Sequence, residues 1–443
     1  MGKYQGYERY KGSGVEWLGE IPKHWKRSVF RYYFDIQLGK MLQNEPQSKN
    51  DEEISYLKAI HVRWDKVDTY DLPKMWASPR DKEKYYVNNG DLLISEGGEV
   101  GRTALLKGLQ EDCIIQNALH RVRPLSQSSV EYLNYLMRHI ADTGWFDILC
   151  NKSTIAHLTS EKLGALALPL PPVDEQKTIA RFLDHKTKQI DDLIAKKEAL
   201  IEKLDEKRTA LISHAVTKGL DPNVPMKDSG IEWLGEIPEH WEVKRLRFLM
   251  VIYGGSTPNK NNPEFWNGEI PWISAKDMKT ERLISSIDKI TEQALKETSI
   301  RLHEKGCIVI VVRGMILAHS FPVALNDIAI TINQDLKILK NSLNAEFLAI
   351  LLRGMKKIFL SIMEESGHGT KVLKTDLFKN VFLPHPPLQE QEFIVDFVEK
   401  QTLKIDQQKA KVQKAIELLK EYRTALITNA VTGKIDVRQV PIP

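Results

Sequence analysis

The 443-residue sequence predicts a duplicated, mixed α+β (α/β) protein: two globular domains separated by two long helices that pair antiparallel as a coiled coil, in a pseudo-two-fold arrangement. Three observations predict it. Residues 174–216 carry apolar side chains at alternating steps of four and three, the 3.5-residue repeat that keeps one helical face against a partner. The same stretch returns 215 residues later, and aligning 174–216 on 389–431 gives 20 identities in 43 positions. A marker at the other end of the repeat, KGSGVEWLGEIPKHWK at 11–26, returns at 227–242 as KDSGIEWLGEIPEHWE, with 12 identities in 16 and an offset of 216. Two markers that keep one spacing make the chain two tandem halves.

The first helical stripe comprises Ile179, Leu183, Ile190, Leu193, Leu200, Leu204 and Leu211, and the second Ile394, Val398, Ile405, Val412, Leu419 and Leu426. These form the expected helix-pair and partner interface. Polar exceptions match across the copies, Lys186 with Gln401 and Lys207 with Tyr422, as register-setting positions do. Pro171-Pro172 cannot continue a helix backwards, and Asp174 with Glu175 suits the positive end of the helix dipole. Gly219 and Pro222 supply the stop. Such a helix is roughly 65 Å long at about 1.5 Å per residue, a spacer's length. The expected organisation is a globular domain at 1–173, a helix at 174–217, a second globular domain at 218–388, a second helix at 389–432 and a tail at 433–443.

Each half opens on the WLGEIPxHW box, whose Gly and Pro flank short apolar steps and two tryptophans (Trp17 and Trp25, Trp233 and Trp241). It reads as a tight turn that pins the half by burying aromatics, with an aromatic platform for nucleic-acid bases as the alternative. Between box and helix, strand-like runs occur at 91–95, 113–116 and 121–124, then a helical run at 130–140. The second half has strand-like runs at 307–312, 328–332 and 336–339, then helical runs at 344–353 and 355–364. Short strands first and helices later make both segments mixed α/β. Weaker matches link them, including QNALHRVRP at 116–124 with NQDLKILK at 333–340, so a repeated frame carries divergent detail.

A net charge of +4 and 42% hydrophobic residues are ordinary for a globular protein, so bulk charge does not announce nucleic acid. No apolar run approaches the roughly 20 residues of a membrane helix, and the start MGKYQGYERYKG has no apolar core. No signal peptide and a cytoplasmic location are therefore expected. Cys113, Cys150 and Cys307 lie far apart without a CxxC pair and read as buried thiols, with neither a zinc site nor a disulfide framework.

Chemistry is sparse. There is no GxGxxG after a strand and no GxxxxGK[ST] loop. The (D/N)PP(Y/F) string of amino-methyltransferases is absent; NNPEF at 261–265 lacks the second proline. Glu202, Asp205, Glu206 and Lys207 superficially offer a nuclease cluster, but lie on the heptad helix as solvated pairs. No catalytic residue, metal ligand or cofactor of this chain is expected.

Polar loops are the binding candidates. YGGSTPNKNN at 253–262 combines backbone freedom with Ser256, Thr257, Asn259 and Lys260, which suit base edges or phosphates; a plain surface turn is the alternative. GHGTKVLK at 367–374 offers His368, Thr370, Lys371 and Lys374, and the first half offers Lys152, Ser153, Thr154 and His157. Arg102 and Arg313 adjoin glycines at strand ends, where a backbone or guanine contact fits. Two readers related by a two-fold axis suit DNA half-sites about one helical turn, roughly 34 Å, apart.

Together these features resemble the specificity subunit of type I restriction-modification systems, over essentially the full length. The resemblance rests on the two boxes and on LPLPPVDEQ at 168–176 and LPHPPLQEQ at 383–391, each leading into a long helix. It implies two target-recognition domains that read a bipartite, asymmetric double-stranded DNA site, one half each, with the helices as a ruler. It further implies a non-catalytic bacterial or archaeal protein that binds two modification subunits. Those partners bring S-adenosylmethionine and methylate adenine, while restriction subunits use ATP and Mg. Family members often carry a GGTP-type loop in both domains; here GGSTP at 254–258 resembles it, while the first half has LGKM at 38–41, with Lys40 the matching candidate. Two rivals stand beside this reading, a structural coiled-coil adaptor without sequence-specific DNA binding and a fused DNA-modifying enzyme.

Overall fold

A computed structural model describes residues 4–125, 128–150, 157–365 and 370–442. The chain divides into two compact units, residues 1–197 with 414–443 (unit 1) and residues 198–413 (unit 2).

In unit 1 a four-stranded antiparallel sheet runs in the order Thr103–Leu105, Leu92–Ser95, Leu119–Pro124, Phe34–Leu38. A second sheet pairs Cys113–Ile115 parallel to Glu52–Leu57, which pairs antiparallel with Lys74–Ala77. Unit 2 repeats both. Its larger sheet orders Met250–Gly254, Leu336–Asn341, Ile308–Val311 and Val323–Asn326, and adds Arg282–Leu283 at the edge in parallel. Its smaller sheet sets Thr331–Ile332 parallel to Trp266–Ile273 and Asp288–Ile290 antiparallel to it. Both units are mixed α+β, and their topology is more alike than their sequences.

The expected order of strands first and helices later needs correction. Helices Pro79–Tyr85 and Glu292–Glu297 stand among the strands. Each is one or two turns long, too short for an apolar period to show, and each is set by its cap, Ser78 accepting from Asp81 N and Thr291 from Ala294 N. Within the run expected to be helical at 355–364, Lys356–Ser361 is helix and Glu364–Glu365 pairs as strand with Lys371–Val372. The three cysteines are buried and unpaired, and burial pushes the Cys113 thiol up to about 12.

The long helices span Val173–Lys218 and Leu388–Val431. Gly219 (φ 77°) and Gly433 (φ 72°) turn the chain away in the left-handed region after each. Most of the expected row is buried, Ile179, Leu183, Ile190, Leu204, Ile394, Val398, Ile405 and Leu426 among it, and two leucines depart from it. On the first helix Leu183, Thr187, Ile190 and Ile194 are buried, while Leu193 and Leu200 are 42% and 44% exposed. On the second, Val398, Thr402, Ile405, Ile416 and Leu426 are buried, Val412 and Leu419 half-buried, and Tyr422 exposed. On the first helix Ile194 and the half-buried Ile201 thus replace Leu193 and Leu200, one residue later than the leucine pattern suggests, while the second helix keeps its expected apolar positions. Threonine makes this affordable: Thr187 and Thr402 donate to the carbonyls of Leu183 and Val398, both at 2.7 Å, so neither hydroxyl is buried unpaired.

The second polar seam position is an arginine in both helices. In unit 1 Arg423 Nε lies 3.0 Å from Asp191 Oδ1 and its Nη2 is 2.9 Å from Asp65 Oδ2. In unit 2 Arg208 Nε lies 3.7 Å from Asp406 Oδ1, and its Nη2 donates to Glu281 Oε1 at 3.0 Å. Asp205 of the nuclease-like cluster pairs with Lys409 at 2.5 Å. With Arg208–Asp406 this fixes the helix segments of unit 2 as antiparallel. The repeated RTALI and Ile-Asp strings therefore tie helix to helix and helix to globular domain.

Unit 1 also buries a histidine against the second helix. Helix Val130–Asp142 presents His139, 4% exposed, with Nδ1 3.1 Å from Thr428 Oγ1 and the Trp17 ring 5.9 Å away. Burial, helped by Lys434, lowers its pKa to about 4. The unfolded chain takes up this proton near pH 6.5, so the group's stabilising effect is complete above that pH and fades as pH falls toward 4. Unit 1 is expected to lose about 2 kcal/mol between pH 7 and pH 5 from His139 alone. Urea titrations at both pH values check this: His139→Gln should flatten the difference, and an unchanged pH dependence contradicts the assignment.

Candidate nucleic-acid interface

Two arrangements recur in both units, one at the start of each long helix and one at a hub of loops. At the first, the Glu-Gln of the helix start meets the HW of the box. Glu175 Oε1 accepts from Trp25 Nε1 at 2.9 Å and from the Tyr7 hydroxyl at 2.6 Å, while its Oε2 lies 2.8 Å from His24 Nε2. Burial first, and then Glu175, push the Tyr7 phenol far above its ordinary range. In unit 2 Glu390 accepts from Trp241 Nε1 at 2.7 Å and lies 2.5 Å from His240 Nε2. Gln176 accepts from Ser129 N at 2.9 Å and donates to Pro171 O at 2.8 Å; Gln391 does the same with Asn344 N at 3.0 Å and Pro386 O at 2.8 Å. Trp25 and Trp241 are fully buried and pack rather than stack on bases, while Trp17 and Trp233 are half-buried.

The second arrangement collects most of the described candidate residues. In unit 1 the loop after Phe34–Leu38 passes so close to Gln116 that a Cβ on Gly39 would stand 2.3 Å from its carbonyl oxygen. Lys40 N donates to Ile115 O (2.8 Å), Asn117 N to Lys40 O (2.7 Å), Glu96 N to Ala118 O (2.9 Å) and Leu158 N to Glu96 O (2.8 Å). The segments at 39–40 and 96 therefore bond to the turn at 116–118, and Leu158 joins them through Glu96. In unit 2 a Cβ on Gly255 would stand 2.1 Å from Asn333 O. Ser256 N donates to Ile332 O (3.0 Å), Val312 N to Asp335 O (2.8 Å) and Leu373 N to Val312 O (2.9 Å), converging on the turn at 333–335. Gly39 and Gly255 are equivalents, so LGKM and GGSTP are the same loop in different sequence.

The candidates lie around these hubs as follows. Lys40 is half-buried with Nζ 3.1 Å from Asp81 Oδ2. Arg102 is half-buried, reaching Glu99 at 3.1 Å and Ala59 O at 2.7 Å. His157 is exposed, its Nδ1 3.6 Å from where a Cβ on Gly97 would be. Lys152, Ser153, Thr154 and His368 lie outside the described residues. In unit 2 Ser256 O accepts from Trp272 Nε1 at 3.0 Å, and the Thr257 hydroxyl donates to Gln334 Oε1. Asn259 and Lys260 are exposed. Arg313 is exposed on a short strand paired with Lys371–Val372. Lys371 and Lys374 pair with Glu365 at 2.9 Å and Glu364 at 2.6 Å, and Thr370 is half-buried. Such pairs near water are worth about 1 kcal/mol or less, so a phosphate can displace the acid. Sequence reasoning missed the turns themselves; the signal available was the match of QNA with NQD.

Comparison with known proteins places these observations. The family model for the type I restriction modification DNA specificity domain matches twice, at residues 34–203 and 238–418. The EcoR124I/EcoR124II type I restriction enzyme specificity subunit of Escherichia coli is 31% identical over 245 residues, 53% of this chain and 55% of that one. A putative type I restriction enzyme specificity subunit, MjaX of Methanocaldococcus jannaschii, is 27% identical over 269 residues, 58% of this chain and 61% of that one. The chain spans about half the length of these curated relatives. A solved chain from "Structural basis underlying complex assembly and conformational transition of the type I R-M system" shares the fold, with a TM-score of 0.72 at 15% identity, covering 94% of this chain and 99% of that one. With two matches that together take in most of its length, this chain belongs to the family of type I restriction modification DNA specificity domains.

Proposed function

We propose that this chain is the non-catalytic, DNA-reading subunit of a type I restriction-modification assembly. Each unit reads one half of a bipartite, asymmetric site in double-stranded DNA, and the long helices set the unread gap between the halves. Two modification subunits, which carry S-adenosylmethionine, dock on the chain and methylate adenine where it directs them. Restriction subunits supply ATP- and Mg-dependent cleavage, and the assembly works in the cytoplasm. The observation that carries this reading is the repeated loop hub: one backbone frame, built twice, presenting different side chains. Two unlike readers on one frame are what an asymmetric bipartite site requires.

The candidate contacts remain Lys40, Arg102, Lys152, Ser153, Thr154 and His157 in the first half. In the second they are Ser256, Thr257, Asn259, Lys260, Arg313, His368, Thr370, Lys371 and Lys374. Among the described residues no helix is long and apolar enough to cross a membrane.

The test is to express the chain with its modification subunits and map methylated adenines across a host genome. The expected result is a bipartite asymmetric motif. Inserting four residues after Ala195, within the first long helix, should change the gap and leave every base of both half-sites as it was. An altered half-site base, or a continuous motif in the unmodified chain, sinks the proposal.

A further inference from the structure

We propose that the carboxamide at the tip of each hub turn, Asn117 in unit 1 and Gln334 in unit 2, reads an adenine in the half-site of its own unit. The inference rests on the DNA-reading function above.

The two turns are equivalent in place and in construction. In unit 1, Gln116 N donates to Leu57 O at 2.9 Å and Leu119 N to Gln116 O at 3.1 Å, beside the bonds to Lys40 and Glu96 given above. Ala118 adopts φ 105°, a conformation that L side chains rarely take and that persists only where the surroundings impose it. In unit 2, Asn333 N donates to Ile273 O at 3.0 Å, and Asn333 Oδ1 accepts from Asp335 N at 3.1 Å. Asp335 O accepts from Val312 N at 2.8 Å and from Arg313 N at 3.3 Å. Strands, loop and turn are thereby committed to one another in both units, and the residue left facing water at the tip is Asn117 or Gln334.

A side chain that discriminates bases needs a fixed origin, and a loop held by a rigid scaffold provides one. It also needs a donor and an acceptor side by side. A carboxamide has both, and that pair matches N7 and the N6 amino group of adenine in the major groove. In unit 2 the Thr257 hydroxyl, from the GGSTP loop, holds Gln334 by its Oε1. Gln334 lines a cleft of about 450 Å³ that also takes in Lys260, Lys276 and Trp272, cations and an aromatic wall beside the tip. Such cations suit backbone phosphates and leave the carboxamide to address the base. The two tips differ by one methylene, so the same frame places its reading group at two depths.

The experiment uses the full chain assembled with its modification subunits and duplexes bearing the mapped motif, with each base pair changed singly. Asn117→Ala is expected to lose roughly tenfold to a hundredfold of discrimination at one A·T position of one half-site. Every other position and the second half-site should be unchanged. Gln334→Ala should do the same in the other half-site. Unchanged discrimination overturns the proposal, as does an even loss across all positions, the mark of a backbone contact. Loss at a position that is not A·T overturns the assignment of adenine. Asn117→Asp and Gln334→Glu keep the shape of the turn while removing the donor, so an assembly that retains full discrimination with these variants also refutes it. A wild-type assembly that modifies no bipartite motif refutes the parent function and the inference with it.

Discussion

Glu175→Ala is expected to destabilise unit 1 by about 3–5 kcal/mol, while the same substitution at Glu390 costs unit 2 about 1 kcal/mol. The two glutamates are the same residue of the repeat, but the Glu175 side chain is 5% exposed and that of Glu390 37%. Removing Glu175 leaves the buried Trp25 indole and Tyr7 hydroxyl without an acceptor, and each buried unpaired donor costs about 1–3 kcal/mol, while the exposed His24 turns to water. At Glu390 water replaces the lost oxygens. Denaturant titrations of the two variants, each beside the parent chain, measure the difference; equal losses contradict the burial argument.

Gly255→Ala is expected to cost about 3 kcal/mol and to abolish recognition of the second half-site, while Gly254→Ala stays within about 0.5 kcal/mol of the parent. The neighbouring glycines differ in what a methyl group meets. At Gly255 it would lie 2.1 Å from Asn333 O and 2.3 Å from Ile332 O, backbone atoms fixed by the end of a strand and the turn that follows it. At Gly254 it meets Lys337 Nζ at 3.0 Å, the mobile end of a long side chain. The loop must therefore lift off the turn in one variant and stay seated in the other. Thermal unfolding and single-base discrimination of the pair test this, and a reversed order of stability counts against the hub.

The long helices were legible because a heptad stripe is a local signal, and duplication confirmed it. Which row of the stripe faces inward was not: Leu193 and Ile194 are both apolar, and only the partner helix decides between them. Thr187 and Arg208 were unreadable as seam residues for the same reason. The hydroxyl of one bonds within its own helix, and the guanidinium of the other finds acids, Asp406 and Glu281, far away in sequence. Strands Glu52–Leu57 and Lys74–Ala77 escaped notice because four to six residues in a polar setting show no clean alternation. At the interface, the polar loops were visible from composition. Their convergence was not, since backbone bonds such as Leu158 N to Glu96 O are tertiary facts. Lys40 shows the limit for single residues: nothing near it in sequence announces Asp81 as its partner.

The composition of unit 1 has a consequence for how the protein is made. Its globular part lies in the first 197 residues, but its core is completed by residues 414–443. The Tyr132 hydroxyl donates to Val431 O at 2.9 Å, His139 rests on Thr428, and Trp25 packs under Gly433. Unit 2, residues 198–413, is one uninterrupted stretch nested inside it. On a ribosome adding about 5–20 residues per second, the domain synthesised first waits roughly 10–40 s for its last helix, while the nested one is born whole. During that interval Trp25, Tyr132 and His139 lack their lid. Of the two units, the one that starts earlier along the chain finishes later, and it is the one more dependent on protection while the rest of the chain emerges.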